Sequence, residues 1–345
     1  MIVRDEEPVL GRCLESVRGL ADEIIVADTG SVDRTPDIAR SFGAEVVEFP
    51  WVDDFAAARN FAFSKATCDY QMWLDADDFL PPESIEMLLR RKANLTADVV
   101  MLPYQVGFDA LGNPTLTYYR ERLLKRARGF RWEGAVHEAI TPAGEILYID
   151  APVQHRKERV NDPDRNLRIF EKELAAGHAL SPREQYYYAR ELYYHGAYDR
   201  AAAGFEAFLA QNGWVEDRIT ACLLLSKCHT ELGQQEQAKT ALYRSFLYDT
   251  PRAEICCEIG RLLMEESNWA HAVFWFKAAI DAPFPTCGFQ EGDVHDYIPY
   301  LQRCVCYDRM GNLAAAKAYN DRAGRIKPQD AAYLANLSYF REKLG

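Results

Sequence analysis

Tyr70-Gln71-Met72-Trp73-Leu74-Asp75-Ala76-Asp77-Asp78 is an apolar run of strand length that stops at three carboxylates within four positions. An end so polar belongs at solvent rather than in a core, so the segment reads as a strand delivering acids to an edge. Two readings follow. Three crowded anions repel one another, and a hard divalent cation, Mg²⁺ or Mn²⁺, relieves that strain. Alternatively they form a solvated acidic turn, because Pro81-Pro82-Glu83 has the form of a helix start with an acidic first turn.

The preceding residues favour a shared edge. Met1-Ile2-Val3 is the tail of a strand, and Val9, Leu10, Cys13, Leu14, Val17 and Leu20 mark one face of a helix. Asp22 to Ala27 reads as a second strand, ending at Asp28. The loop Thr29-Gly30-Ser31-Val32-Asp33-Arg34 then leads to a helix with Thr35 as expected N-cap and Pro36 at its first position. Gly43 stops that helix, and Ala44 to Phe49 is a third strand. Alternating strands and helices predict a mostly parallel α/β sheet with its ligand site at the strand C-terminal ends. Asp53 to Phe63 reads as a further helix, on which Arg59 is either a solvated charge or a fixed donor to a base or phosphate.

The chain has 345 residues, 48% of them apolar and 27% charged, which suits a globular protein of two or three domains. Its formal charge of −12 argues against nucleic acid or an anionic membrane as a general partner. No segment approaches the roughly 20 apolar residues of a membrane span, and no signal-peptide core is seen, so a cytoplasmic location is expected. Nine cysteines without a C-x-x-C pair fit that compartment; most lie in helical patterns as small apolar residues.

From residue 94 to 160 the pattern changes. Asp98 to Val106 is a strand, Asp109-Ala-Leu-Gly-Asn-Pro114 a hairpin turn, and Thr115 to Lys125 a return strand. Arg120, Arg122, Lys125, Arg126, Arg128 and Arg131 then form either a solvated basic face or a clamp for phosphates or an acidic acceptor. Phe130-Arg131-Trp132-Glu133-Gly134-Ala135-Val136-His137-Glu138 combines a stacking surface, a close-approach glycine and two proton acceptors, as an acceptor pocket requires.

Four blocks carry a resemblance: Met1-Ile-Val-Arg-Asp-Glu-Glu, Ile25-Val-Ala-Asp28-Thr-Gly-Ser-Val-Asp33-Arg-Thr, Asp54-Phe-Ala-Ala-Ala-Arg59-Asn60 and Trp73-Leu-Asp75-Ala-Asp77-Asp78. In order and spacing they resemble the family 2 glycosyltransferases of the GT-A fold, over roughly the first 80 residues and more loosely to about residue 160. The resemblance implies that Asp28 and Arg59 recognise the nucleotide base, Asp75 the ribose, and Asp77 a Mn²⁺ or Mg²⁺ ion bridging the diphosphate. It places the Trp132 to Glu138 block on the acceptor side, making Glu138 the expected general base with His137 second. It also suggests His155 as a metal ligand from a closing segment. Members of the family usually carry several apolar residues before the Met-Ile-Val block, so the first strand is expected to be clipped here.

Beyond residue 160 the β pattern gives way to a repeat. Gly196-Ala-Tyr-Asp-Arg-Ala201, Gly233-Gln-Gln-Glu-Gln-Ala238, Ser267-Asn-Trp-Ala-His-Ala272 and Gly311-Asn-Leu-Ala-Ala-Ala316 each set a small residue at a turn and an alanine five positions on. The turns fall 37, 34 and 44 residues apart, with a Pro-rich and Gly-rich loop after Pro283 explaining the longest interval. This resembles the tetratricopeptide (TPR) helix-turn-helix repeat of about 34 residues, whose members bind peptides or pack subunits, so a homo-oligomer through the array is one expectation. Most of Tyr186, Tyr187, Tyr188, Tyr193, Tyr194, Tyr198, Trp214, Trp269 and Trp275 are expected in the repeat core.

The sequence thus predicts a GT-A domain over residues 1–160 and a TPR superhelix over 161–345. The expected activity is metal-dependent inverting transfer from a nucleotide-sugar, most plausibly a UDP-sugar, to a peptide, protein or glycan acceptor. The alternatives are a transferase of cell-surface polysaccharide or lipopolysaccharide, and a TPR scaffold beside a transferase domain that no longer turns over. A nucleotidyltransferase would need a glycine-rich phosphate loop near the N-terminus, and none is present.

Overall fold

The structure is a computed structural model describing residues 1–108, 112, 114–158, 162–284 and 292–344. Most of the expected hairpin turn after Asp109, the expected boundary at 160/161 and most of the loop after Pro283 lie outside the described residues. The chain divides into two compact units, Met1–Ala179 and Leu180–Gly345.

The first unit opens with β1 (Ile2–Val3), α1 (Glu7–Ser16), β2 (Ile25–Asp28), α2 (Thr35–Ser41) and β3 (Glu45–Glu48). The three strands pair in parallel, with Val3 opposite Asp28 and Asp28 opposite Glu48. Thr35 is not the N-cap of α2. Arg34 holds that position without a side-chain cap, and the Thr35 hydroxyl instead accepts from the Glu6 amide at 2.7 Å, fastening the loop after β1. Next come α3 (Phe55–Lys65), β4 (Tyr70–Met72), β5 (Asp78–Phe79), α4 (Pro82–Lys92), β6 (Val99–Phe108), β7 (Pro114–Lys125), β8 (Ile146–Tyr148), β9 (Val153–His155) and α5 (Arg165–Ala175).

β4 does not extend the parallel sheet. It pairs antiparallel with β7 in a six-stranded mixed sheet of order β4-β7-β6-β9-β5, with β8 beside β6; the first three strands form the all-parallel sheet, and in the second β6 pairs in parallel with β8 and β9. That sheet's long β6–β7 ladder is what brings residues beyond 100 to the Asp75 turn. Helix α5 is fastened to this unit by Lys172 on Asp53 and by Arg165 over the Phe55 ring at 4.7 Å.

The second unit is a run of antiparallel helix pairs: α6 (Pro182–Tyr194) with α7 (Tyr198–Leu209), α8 (Val215–Glu231) with α9 (Gln235–Arg244), α10 (Ala253–Glu265) with α11 (Trp269–Asp281), and α12 (Tyr297–Arg309) with α13 (Leu313–Ile326), followed by α14 (Ala331–Leu344). The four expected turn residues, Gly196, Gly233, Ser267 and Gly311, all have positive φ, between 58° and 78°. Three are glycines, for which that conformation carries no Cβ penalty; Ser267 bears it. The four expected alanines, Ala201, Ala238, Ala272 and Ala316, are each fully buried, as a close helix crossing demands.

The aromatic expectation holds in part. Of the nine residues named above only Tyr186 is fully buried, while Tyr194 and Trp214 are 62% and 51% exposed. Polar edges hold those two at the rim, whereas Trp269 and Trp275 pack partly buried against a core of Phe276 and aliphatic side chains, and Phe205 and Phe208 are fully buried beside Tyr186. The cysteines of this unit that are described are free and mostly buried, with burial raising their thiols.

Candidate active site

The turn after β4 is closed on itself. The Asp75 amide donates to Asp78 Oδ2 at 3.0 Å, and the Asp78 amide donates to the Asp75 carbonyl at 3.0 Å. Asp78 is wholly buried and saturated. Its Oδ2 also faces Arg122 Nη1 at 2.9 Å, and its Oδ1 accepts from Tyr104 at 2.9 Å and lies 3.3 Å from His155 Nδ1. Arg122, equally buried, is stacked between Trp73 and Tyr104, with its guanidinium carbon 3.7 Å and 4.2 Å from the ring centres. A buried pair of this kind fixes geometry more than it stabilises.

Arg59 is the hub. It rides on α3, whose start is capped by the Asp54 carboxylate accepting from the Ala57 amide at 2.8 Å. Its Nη2 donates to Asp75 Oδ1 at 2.7 Å and its Nε to Glu138 Oε1 at 2.5 Å. Trp73 and Trp132 flank it, with ring centres 5.2 and 4.8 Å from its guanidinium carbon, and its Nη1 is buried without a partner. Burial alone would raise the Asp75 carboxyl, but Arg59 and then Arg122 draw it down to about 2.

The block around Glu133 to Glu138 forms a short loop. Glu133 and Ala139 bridge antiparallel at its base, and Gly134 and His137 both take positive φ, at 95° and 54°. For His137 that conformation is strained, a feature that clusters at functional sites. The loop is pinned to α3 twice: Phe55 donates its amide to the Ala135 carbonyl at 2.9 Å, and the Asn60 amide brackets the Trp132 backbone with two bonds of 2.9 Å.

His155, at the end of β9, lies 3.3 Å from both Asp77 Oδ1 and Asp78 Oδ1. Burial pulls its imidazolium down, but hydrogen bonding and charge from the two carboxylates more than reverse this and lift it to about 10. Asp77, Asp78 and His155 offer ligand atoms all within 4.8 Å of one another. A hard cation fits this donor set through Asp77 and His155, which keep some exposure. Asp78 is already committed to Arg122 and Tyr104.

The geometry therefore brings Arg59, Asp75 and Glu138 into one cluster, with Asp77 on the same turn as Asp75 and His155 reaching Asp77 from the end of β9. Among the described residues Asp28 makes no hydrogen bond to this cluster: it ends β2, and its Oδ1 accepts from the Ser31 amide and hydroxyl at 3.1 and 2.6 Å. The basic run divides. Arg122 serves Asp78, Arg120 pairs with Glu121, and Lys125 donates to the Thr96 carbonyl, whereas Arg126, Arg128 and Arg131 are exposed, Arg126 donating to the Cys68 carbonyl. The sequence assigns no role of their own to Asn60, Trp73 or Tyr104, and it offers Arg122 only as part of the basic run. Asn60 adjoins Arg59 and Trp73 adjoins the acids, but Tyr104 sits on a strand with nothing local to distinguish it.

Residues 1–144 match the family model described as Glycosyl transferase family 2. A TPR repeat-containing protein of Synechococcus elongatus is 40% identical over 145 residues, covering 41% of this chain and 34% of that protein. The lipopolysaccharide core biosynthesis glycosyltransferase LpsC of Rhizobium meliloti is 28% identical over 156 residues, covering 42% and 57%. Both matches span less than two thirds of the relative's own length. Among solved structures, PilW, a type IV pilus biogenesis factor, aligns at 18% identity with a TM-score of 0.42, covering 50% of this chain and 74% of that one.

Proposed function

We propose that this chain, whose first 144 residues are a family 2 glycosyltransferase domain, transfers a sugar from a UDP-sugar with inversion and with the help of Mn²⁺ or Mg²⁺. The observation that carries the reading is the Arg59 hub, which joins an acid of the Asp75 turn to Glu138 from the distant loop. In this reading Asp75 takes the ribose hydroxyls and Asp28 the base, while Arg59 keeps Asp75 ionised so that it accepts rather than donates hydrogen bonds. This revises the role first given to Arg59. Two of its donors are spent on carboxylates, so it orders the pocket, and only Nη1 remains for a donor group.

Glu138 is the proton acceptor in this proposal. Its Oε1 is held by Arg59, and Oε2 has no hydrogen bond among the described residues, so Oε2 takes the acceptor's proton as the new glycosidic bond forms. His137, beside it on the same strained loop, orients the acceptor. Asp77 and His155 would hold the cation, which as a Lewis acid offsets charge on the departing diphosphate. Asp78, Arg122 and Tyr104 keep the turn in place for both.

The acceptor in this proposal is a peptide or glycan chosen by the helical unit. LpsC, by name a lipopolysaccharide core enzyme, adds weight to the glycan branch. A panel of UDP-sugars assayed for hydrolysis with Mn²⁺ tests the core of the proposal. Turnover of at least one donor is expected, stopped by a chelator and by Asp77→Ala. If no nucleotide-sugar is hydrolysed, the second unit is left as a binding scaffold beside an inert domain; turnover indifferent to chelator would remove the cation.

A further inference from the structure

The α12–α13 pair carries a stacked tyrosine cluster, in which Tyr307 and Tyr319 also pack against the core of Cys304, Ala316 and Phe340. Tyr307 and Tyr319 are stacked with ring centres 5.4 Å apart at 6°, and Tyr300 continues the stack 6.2 Å from Tyr319 at 28°. Two arginines lie on this ladder. Arg303 has its guanidinium carbon 4.2 Å from the Tyr319 centre, and Arg322 lies 5.0 Å from the same ring and 5.8 Å from Tyr300.

Among the described residues neither arginine is paired with an acid. Arg303 is 93% buried, with 7% of its surface exposed; its Nε has no partner, and no acid pairs with it among the described residues. The acids nearby in sequence are engaged elsewhere: Asp293 with Lys327, Asp308 with Tyr339, Asp321 with Lys317, and Asp330 with the Ala332 amide. In a chain of net charge −12 this is an unusual place to leave a buried cation unpaired. Cation–π contact with tyrosine offsets only part of that cost.

We propose that Tyr300, Arg303, Tyr307, Tyr319 and Arg322 form a binding site for a sugar ring bearing a carboxylate, such as a hexuronate unit of an acidic glycan. The guanidinium fork matches a carboxylate's two oxygens, and the electron-rich face of tyrosine suits the weakly positive C–H face of a pyranose. A carboxylate on a flexible peptide would use the arginines and gain nothing from the ladder. The site names an acceptor class for the transfer proposed above and rests on that reading, but its binding can be measured without any transfer.

The full-length protein is titrated with a hexuronate oligomer, the matching neutral hexose oligomer and a tetraglutamate peptide, by calorimetry at low and moderate salt. Binding of the hexuronate oligomer is expected, falling at least tenfold in Arg322→Ala and in Arg303→Lys, with neither control ligand binding comparably. Arg322 is exposed, so its variant should keep the wild-type melting temperature and UDP-sugar hydrolysis. Absence of hexuronate binding, binding unaffected by Arg322→Ala, or equal binding of tetraglutamate would each overturn the site. If hexuronate binding fails while donor hydrolysis persists, only this inference falls. If hydrolysis fails while hexuronate still binds, the site stands as a glycan-binding site and the transferase reading falls.

Discussion

Arg59 Nε lies 2.5 Å from Glu138 Oε1, joining two side chains 79 residues apart in the chain. The same guanidinium reaches Asp75 Oδ1 at 2.7 Å, so one buried cation holds the acid of the Asp75 turn and the acid of the loop around Glu133 to Glu138 at once. In the proposed mechanism this position lets donor binding and acceptor deprotonation be perturbed separately, because each side of the hub can be cut alone.

Glu138→Gln should reduce sugar transfer by roughly two to four orders of magnitude, the usual contribution of a general base. The dissociation constant for UDP with Mn²⁺ should stay within a few fold, since Asp75 remains paired with Arg59. Rates across pH, together with calorimetric UDP binding, check this. A variant that loses donor affinity in proportion to rate would make Glu138 a support for Arg59 rather than a base.

Asp77 and Asp78 should separate cleanly. Asp77→Asn is expected to weaken Mn²⁺ binding at least tenfold with little change in melting temperature. Asp78→Asn leaves buried Arg122 without its counter-charge and should cost about 3–5 kcal/mol of stability. Manganese titration and thermal melts of the two variants, read side by side, decide between this division and its reverse.

Asn60→Ala removes both bonds that bracket the Trp132 backbone, which would leave a buried donor and acceptor unpaired at a cost of roughly 1–3 kcal/mol. The loop it fastens carries His137 and Glu138, so transfer should fall while donor hydrolysis by water is less affected. Equal loss of both would place Asn60 in general folding instead.

Asp217 gives a pH test in the helical unit. It is 7% exposed, and burial lifts its carboxyl to about 6, countered in part by Arg183 and Arg190. The folded state therefore holds this proton more tightly than an unfolded chain, whose aspartate titrates near about 3.9. Stability is lost as pH rises from about 4 through about 6, and the full cost is present above that. Asp217→Asn should gain roughly 2–3 kcal/mol at pH 7.5 and almost nothing at pH 4. A gain of the same size at both pH values would assign the effect to packing.

Much of the second unit could be read directly. Gly196, Gly233, Ser267 and Gly311 take the left-handed turns, and Ala201, Ala238, Ala272 and Ala316 are buried at the crossings, as their spacing predicts. Both properties are local: the turn depends on one residue's φ, and the crossing on one missing side chain. The Asp75 turn was legible for a related reason, because an apolar strand that ends in acids announces an edge. Thr35 misled because an N-cap hydroxyl and a loop staple look alike in sequence, and only the nearness of the Glu6 amide distinguishes them. The basic run was legible only in part, because charge density along the chain does not say which carbonyl or carboxylate Arg120, Arg122 and Lys125 will meet.

The sequence by itself determined the two architectures, the helical repeat and the acidic turn that follows β4, since these follow from periodicity, turn conformation and side-chain size; which sheet β4 joins was decided by its pairing with β7. Only the tertiary structure decided how the acids divide their work. The β6–β7 ladder delivers Tyr104 and Arg122 to Asp78, and the pinned loop delivers Glu138 to Arg59. A buried charge takes whichever opposite charge the fold brings within reach, and that choice depends on chain closure over tens of residues rather than on any neighbouring position.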